Sequence, residues 1–252
     1  MKVFAISDLH LEGGDDKPMS VFGSQWEGHF EKISADWQKK VGPEDLVLIP
    51  GDISWAMQLE HALPDLRMIA ELPGRKVLLR GNHDYWWPGI SRLRSALPDG
   101  MYAIQNDALQ FDGFTIAGSR GWILPGPGVS AEDDRIYERE LARLGLSLDQ
   151  ARRLGGDLLV MTHYPPVGEN GIQTQVSQMI IRAGARYCVY GHLHGASGKS
   201  AFNGSLDGTE FMCVSCDQLG FALHEIPAGH SAGDTEDRKS GAFCPQKIQN
   251  QP

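Results

Sequence analysis

The sequence predicts an α/β protein, and two observations lead to that prediction. Short apolar or β-branched runs, each of a length suited to one strand, recur along the chain and are separated by stretches of helical or loop character. The chain has 252 residues, of which 41% are hydrophobic, so it can bury a full core as one unit. We therefore expect one domain over residues 1–226, followed by a polar, Gly-rich and flexible tail over 227–252.

Eight runs are predicted as strands from their composition and length. In chain order they are KVFAIS (2–7), DLVLIP (45–50), KVLLR (76–80), FTIAGS (114–119), DLLVMT (157–162), RYCVY (186–190), EFMCVS (210–215) and FALHEI (221–226). The predicted helices are 26–41, 56–71, 88–97, 130–154 and 173–183. The fourth has the clearest signal, because Ser130 and Asp133 form a Ser-x-x-Asp capping pattern ahead of leucines at helical spacing.

The charge and the first residues of the chain argue against nucleic acid and a membrane as partners. The net charge is -9 and the pI is near 5.4, so the chain offers no overall basic surface and nucleic acid is disfavoured as a partner. The first ten residues fit neither a signal peptide nor an anchor, and no later window approaches the roughly 18 apolar residues of a membrane span. We expect a cytoplasmic protein without membrane insertion.

The cysteines are too few for a disulfide framework. They are Cys188, Cys213, Cys216 and Cys244, a usage in keeping with a reducing compartment. Cys213 and Cys216 form a C-x-x-C motif, but it lies in a predicted strand, where residues three apart face opposite sides. We expect buried thiols there rather than a structural zinc site.

Polar residues of metal-binding types follow five of the predicted strands. They are Asp8 and His10, then Asp52, then Asn82, His83 and Asp84, then His163, and finally His192 and His194. The carboxyl ends of parallel strands lie on one edge of a sheet, so these residues can converge there. A single motif of this kind is most often a turn or core feature, whereas its recurrence at five strand ends favours one shared site.

The number of candidate ligands indicates two metal ions. Two carboxylates, one amide and four imidazoles are available, from Asp8, Asp52, Asn82, His10, His163, His192 and His194. Such donors suit divalent transition ions, and seven exceed what one centre can use while keeping a substrate position open. Two ions about 3.5 to 4 Å apart that share a carboxylate would use them all. Mn, Fe, Zn, Co and Ni all suit this donor set, so the identity of the metal stays open.

In their order, the motifs resemble the signature of the calcineurin-like metallophosphoesterase superfamily. That signature reads D-x-H, G-D, G-N-H-[DE], H and G-H-x-H, and here it spans residues 8–194. The resemblance implies a four-layer α/β/β/α sandwich with two central mixed sheets and a dinuclear site on their rim. The protein Ser/Thr phosphatases of the superfamily carry an Asp-Arg pair after G-D, but this chain has Ile53 and Ser54 there. The sequence looks closer to the small bacterial phosphohydrolases of the superfamily.

The resemblance also implies a role for each matched residue. Those roles place Asp8, His10 and His194 on the first ion, Asn82, His163 and His192 on the second, and Asp52 between the two. They make His83 the histidine that faces the phosphate without binding metal, with Asp84 as the residue that orients it.

These residue types suit hydrolysis of a phosphate ester. A water shared by two divalent ions is far more acidic than bulk water and can attack phosphorus in line. His83 can donate a proton to the leaving oxygen or a hydrogen bond to a phosphoryl oxygen. Arg120, in GSRGW, is the best candidate for an added phosphate or leaving-group contact, although the default for such an arginine is a solvated surface residue. We expect metal-dependent cleavage of a phosphomonoester or phosphodiester in a small or medium-sized molecule.

Two other functions stay open at this stage. A nuclease of the same superfamily is one, although the acidic composition counts against it. A catalytically inert scaffold that binds proteins is the other, although such a scaffold is expected to have lost ligands and here every position is filled. The oligomeric state is open as well, and so is the role of the insert 12–26. For Tyr85, Trp86 and Trp87 we favour packing over a place in the pocket wall.

Overall fold

The computed structural model describes residues 1–13 and 18–227, so the predicted tail beyond Pro227, with Cys244, lies outside the described residues. Within them, eleven strands form two mixed sheets. In chain order the strands are β1 (Val3–Ala5), β2 (Leu46–Pro50), β3 (Arg75–Leu79), β4 (Met101–Ala103), β5 (Ala108–Phe111), β6 (Phe114–Ser119), β7 (Asp157–Thr162), β8 (Tyr187–Tyr190), β9 (Gly204–Leu206), β10 (Thr209–Cys213) and β11 (His224–Ile226).

The first sheet has the strand order β11-β1-β2-β3-β4 and the second has the order β5-β6-β7-β8-β10-β9. In the first, β1 to β4 are parallel and β11 is antiparallel to β1. In the second, β6, β7, β8 and β10 are parallel, while β5 and β9 are antiparallel edge strands. Each sheet therefore has a block of parallel strands whose carboxyl ends share one edge.

Helices cover the outer face of each sheet: α1 (His29–Lys40), α2 (Leu59–Glu71) and α3 (Ile90–Ala96) lie on the first, and α4 (Ala131–Leu154) and α5 (Gln175–Arg182) on the second. The short α6 (Gly195–Gly198) follows His194, and 3-10 turns lie at Met19–Phe22, Ser24–Trp26 and Glu169–Gly171. The predicted cap is present at α4, where the Ser130 side chain accepts a hydrogen bond from the Asp133 amide. None of the helices in the described ranges is both long enough and apolar enough to cross a membrane.

The alternation of side chains along the strands produces three layers of core. Phe4 and Val47 pack under α1 to α3, while their neighbours Val3 and Leu46 face the second sheet. On the far side, Val160 and its neighbours pack under α4 and α5. The helix, sheet, sheet and helix layers confirm the predicted four-layer α/β/β/α sandwich.

Candidate metal centre

The carboxyl edges of the two sheets meet just beyond β1. Ser7 forms a parallel bridge with Ser215, which follows β10 in the second sheet. The next amide, that of Asp8, donates to the carbonyl of Gly51 beyond β2. Because this junction joins the two sheets, residues that follow strands of either sheet lie at one site.

The backbone at this edge is unusual at four of the candidate ligands. Asp8, His10, Asp52 and His192 have φ values of 60°, 45°, 53° and 74°, in the left-handed region that most residues avoid. Hydrogen bonds maintain this backbone: the His10 amide donates to the Asp52 carbonyl, and the His192 amide donates to both carboxylate oxygens of Asp8. All four residues follow a strand, so the left-handed backbone lies at the edge where the candidate ligands meet.

The first group of ligand atoms comes from Asp8, His10 and His194. One atom from each residue lies within 4.8 Å of the others. Nε2 of His194 is 3.3 Å from Oδ1 of Asp8 and 3.3 Å from Nε2 of His10. Asp8 and His10 are buried, while the side chain of His194 is 30% exposed. This is the set that the sequence predicted for the first ion.

The second group forms around Asp52 and His163. Oδ2 of Asp52 lies 3.4 Å from Nε2 of His163 and 3.8 Å from Nε2 of His10, so this carboxylate stands between the two groups. Oδ1 of Asn82 lies 2.6 Å from Nε2 of His163 and 2.9 Å from Nδ1 of His192. All seven predicted ligands therefore converge at one place.

Burial and neighbouring carboxylates shift the pKa values of the four candidate histidine ligands in opposite directions. Burial lowers the pKa of His10 and of His192 to about 4 in each case. Burial also acts to lower the pKa of His163, but the charge of Asp52 raises it to about 9. For His194 the hydrogen bonds to Asp217 and Asp8 likewise outweigh burial and raise the pKa to about 10. Metal binding at neutral pH would therefore displace protons from His163 and His194.

The two central carboxylates have the opposite balance. Burial acts to raise the pKa of Asp8 and of Asp52, but neighbouring histidines hold both pKa values below the usual range. Both carboxylates are therefore anionic at neutral pH and able to bind a cation.

These residues fit a pair of divalent ions. Inward-facing carboxylate oxygens, imidazole nitrogens and one amide oxygen lie close together in a buried cluster, and the donor set is the one that Mn, Fe, Zn, Co and Ni accept. Asp52 lies between the two groups, as a shared carboxylate would. Without metal, the protons on His163 and His194 compensate the charges of Asp8 and Asp52, and bound cations would take the place of those protons.

His83 lies at the rim of this cluster rather than within it. Its amide donates to Oδ1 of Asp52 at 2.8 Å, which fixes the backbone beside the centre. Its ring centroid is 5.8 Å from that of His10 and 4.5 Å from that of Trp55. The half-buried imidazole therefore lines the open space beside the ligands, where a substrate would bind.

Asp84 has a different role from the predicted one. We expected its carboxylate to orient His83, but the hydrogen bonds found for it in the described residues go elsewhere. They come from the backbone amides of Asp52, Ile53, Ser54 and Gly81 and from the indole of Trp86. Burial, together with the charge of Asp52, raises the pKa of Asp84 to about 6. Asp84 thus connects the two ligand loops after β2 and β3 instead of contacting the imidazole.

The side chain of Arg120 is directed at Trp122 and Glu140 rather than into solvent. Its guanidinium lies over the Trp122 ring at 4.4 Å and 3.7 Å from the carboxylate of Glu140, with the side chain 16% exposed. Its carbonyl oxygen accepts hydrogen bonds from the amides of His163 and Tyr164. The arginine therefore supports the backbone of one ligand, and its contact with substrate stays a prediction.

Three residues of the site were not predicted from the sequence. Oδ1 of Asp217 lies 2.8 Å from Nδ1 of His194, the nitrogen that faces away from the first group. Trp55 stacks on His10 with ring centroids 4.8 Å apart, and Tyr164 packs on His192 at 4.2 Å. Asp217 follows strand β10 at the same edge as the candidate ligands. The pattern of polar residues after strands could therefore have identified it from the sequence.

The aromatic residues after Asp84 divide as two core residues and one surface residue. Trp86 and Trp87 are buried in the core under the first sheet, which confirms the packing prediction for both. Tyr85 is 54% exposed, so packing is wrong for it. Cys213 and Cys216 are buried free thiols, as expected, although only Cys213 lies in strand β10 and Cys216 lies in the turn that follows.

Comparison with protein families confirms the resemblance seen in the order of the motifs. Residues 1–196 match the model of the calcineurin-like phosphoesterase family. The chain belongs to this family.

Similar proteins are known from phages and from bacteria. The Gene 66 protein of Mycobacterium phage L5 is 24% identical over 191 residues, which is 75% of each chain. The Gene 66 protein of Mycobacterium phage D29 is 28% identical over 200 residues, 76% of this chain and 78% of its own.

Two solved structures share the fold. Phosphopantetheinyl hydrolase (PptH) from Mycobacterium tuberculosis aligns with a TM-score of 0.56 and 14% identity, over 92% of this chain and 98% of its own. The protein TT1561 of Thermus thermophilus aligns with a TM-score of 0.52 and 12% identity, over 89% of this chain and 97% of its own.

Proposed function

We propose that this protein is a dinuclear metal-dependent phosphohydrolase that cleaves a phosphomonoester or phosphodiester of a small or medium-sized molecule. One observation carries the proposal: seven ligand-type side chains from five strand ends converge in one buried cluster, with Asp52 between its two halves. Family membership supports the general chemistry of phosphoester hydrolysis.

Each half of the cluster would hold one ion. Asp8, His10 and His194 would bind the first, Asn82, His163 and His192 the second, and Asp52 would bridge the pair. When bound, two divalent ions supply positive charge for the phosphoryl oxygens and lower the pKa of water enough to provide a nucleophile for phosphorus near neutral pH. The amide at Asn82 adds no negative charge to the site, so the anionic substrate is not repelled there.

His83 would act on the leaving group. Its imidazole lies in front of the ligands, where it can donate a proton to the departing oxygen or a hydrogen bond to a phosphoryl oxygen. The hydrogen bond from its amide to Asp52 keeps the ring beside the bridging carboxylate. Loss of a general acid of this kind costs about 10²- to 10⁴-fold in rate.

The test is hydrolysis of p-nitrophenyl phosphate and bis-p-nitrophenyl phosphate by chelator-stripped protein supplied with Mn, Zn, Ni or Mg. We expect turnover of at least one ester to return with metal. Asp52→Asn should abolish it, and His83→Ala should lower kcat about 10²- to 10⁴-fold. His61→Ala is the matched control, because His61 is exposed on α2 outside the site.

The hydrolase proposal can be overturned only with protein that is shown to be folded. If neither ester is turned over with any of the metals while circular dichroism shows a native fold, the general hydrolase assignment is wrong. Turnover that survives Asp52→Asn would show that the activity comes from elsewhere.

A further inference from the structure

A cavity of about 340 Å³ opens beside the first group of ligands. His10 and His194 of the first group and the neighbouring His83 form its inner end, and Met19, Phe22, Trp26 and Trp55 form the apolar part of its lining. Pockets that bind small molecules have volumes of about 300 to 1,000 Å³. The cavity therefore has room for an organic group attached to a phosphate held at the metal centre.

The wall of this cavity is aromatic and comes largely from the insert after the first ligand pair. Trp55 stacks on His10, and its indole nitrogen donates to the sulfur of Met19 in the insert. Trp26 is buried and packs edge-on against His10 and His194. The ligand rings are thus continuous with an apolar surface that leads away from them.

Phe22 is the exposed member of this wall. Its side chain is 64% exposed although it is large and apolar, and it stands on the 3-10 turn Met19–Phe22 at the cavity. An exposed aromatic residue at the mouth of a pocket gains from covering a ligand, whereas it contributes little to packing. Val21 is its neighbour on the same turn and is 73% exposed, but it does not line the cavity.

The described lining of the cavity offers no side-chain cation for a second anionic group. Among the described residues that line it there is no lysine or arginine, and the one carboxylate, that of Asp217, is engaged with His194. The lining also includes the neutral amide of Gln25. Among these described residues, a polyphosphate or an acidic peptide would meet no cation beyond the metal centre.

The position of His83 defines which part of the substrate occupies the cavity. A proton donor must lie within reach of the leaving oxygen, and His83 is one of the residues at the inner end. Its ring centroid is 4.5 Å from that of Trp55, so the proton donor and the aromatic wall face the same space. With His83 as proton donor to the leaving oxygen, the first of its two proposed roles, the group that departs with that oxygen is the group that contacts the wall.

We infer that the cavity is a leaving-group site, and that the substrate is a phosphate ester of an uncharged alcohol with a flat aromatic or apolar body. The inference rests on the proposed function for the place of the phosphate and extends it to the chemistry of the leaving group. Trp55 and Phe22 would contact the flat face of such a leaving group. The site would therefore bind this ester more tightly than an ester of a short alkyl alcohol.

The test measures binding, so that it does not depend on turnover. Calorimetry of Mn-loaded protein with 1-naphthylphosphonate and ethylphosphonate gives the ratio of two affinities that share the same anionic head. We expect the naphthyl compound to bind at least about tenfold more tightly, because added apolar groups in a hydrophobic pocket give discrimination of that order. Phe22→Ser should reduce the ratio about fivefold or more, while Val21→Ser, the matched control, should leave the ratio as in the wild type.

The outcomes separate this inference from the hydrolase proposal. Equal affinities in the wild type, or equal effects of Phe22→Ser and Val21→Ser, would overturn the leaving-group site even if the esters are hydrolysed. A clear naphthyl preference that depends on Phe22 would uphold the site even if no ester is turned over. No binding of either phosphonate would contradict both.

Discussion

At the scale of single residues, Asp217 holds the imidazole ring of His194 through a hydrogen bond. One carboxylate oxygen lies 2.8 Å from Nδ1 of His194 and the other accepts the Gly195 amide at 2.9 Å. A histidine that binds metal through one nitrogen commonly donates from the other to a carboxylate, which fixes its tautomer and its ring orientation. Asp217 is placed to do this for Nε2 of His194, which faces Asp8.

We predict that Asp217→Asn weakens metal binding about 10- to 100-fold, because a neutral amide oxygen is a weaker acceptor for the Nδ1 proton than the carboxylate and holds the imidazole less firmly. Calorimetric titration of the chelator-stripped protein with Mn measures the affinity. Asp149→Asn is the control, since Asp149 is exposed and pairs only with Arg152 among the described residues. Equal affinities for the two variants would rule out a positioning role for Asp217.

The same scale shows what a sequence can predict about a site. The residues that follow strands were found from the pattern, because strand ends at one edge must converge. The direction of an individual side chain was not, and Asp84 is the example: it is adjacent to His83 but its hydrogen bonds go to the loop after β2. Trp55 was missed because stacking on His10 depends on the course of a loop and has no local signal.

At the scale of elements, the loops after β2 and β3 pack with almost no space between them. A Cβ atom added at Gly81 would overlap both Oδ1 and the amide nitrogen of Asp52. Such an overlap requires the backbone to shift. The position of the Asp52 carboxylate therefore depends on the absence of a side chain at Gly81.

We predict that Gly81→Ala lowers metal affinity at least about tenfold and destabilises the fold by about 1 to 3 kcal/mol. Mn titration and urea unfolding measure the two effects. Gly89→Ala is a matched control, because a Cβ at Gly89 meets nothing within 4 Å. If both alanine variants bind Mn as the wild type does, the close approach is not what positions Asp52.

Strand prediction found every strand that lies in one of the eight runs and missed three that lie outside them. All eight predicted runs contain a strand, but β4, β5 and β9 were missed. Length alone is not the reason, because β1 and β11 also have only three residues. Two of the three did carry a local signal. Asp112-Gly113 and Asp207-Gly208 connect β5 to β6 and β9 to β10, and all four residues have positive φ, as hairpin turns of this kind require.

At the scale of the whole molecule, stability depends on a buried lysine between the first sheet and its helices. Lys76 is 2% exposed, and its ammonium donates to the carbonyls of Ala70 and Leu72 at the end of α2. Burial lowers the pKa of Lys76 from 10.5 to about 8. Between these values the unfolded chain holds the proton and the folded chain does not, so the free energy of unfolding rises with pH in that window.

We predict that the wild type gains about 1 to 3 kcal/mol relative to Lys76→Met between about pH 7.5 and pH 10, since each unit of pKa shift corresponds to about 1.4 kcal/mol before solvent screening. Urea unfolding at several pH values measures the difference. Lys39→Met makes the same change at an exposed position of α1 and should show no such rise. Parallel pH profiles for the wild type and Lys76→Met would contradict the prediction.

The left-handed backbone at four candidate ligands places this fold under two opposing selective pressures. A residue other than glycine in that region costs on the order of 1 to 3 kcal/mol, and glycine relieves most of this cost. A change such as His192→Gly would therefore relax the backbone while removing a ligand. A lineage released from the need for the site would drift towards glycine at these positions and become more robust, so the aspartates and histidines there limit how stable a functional member can be.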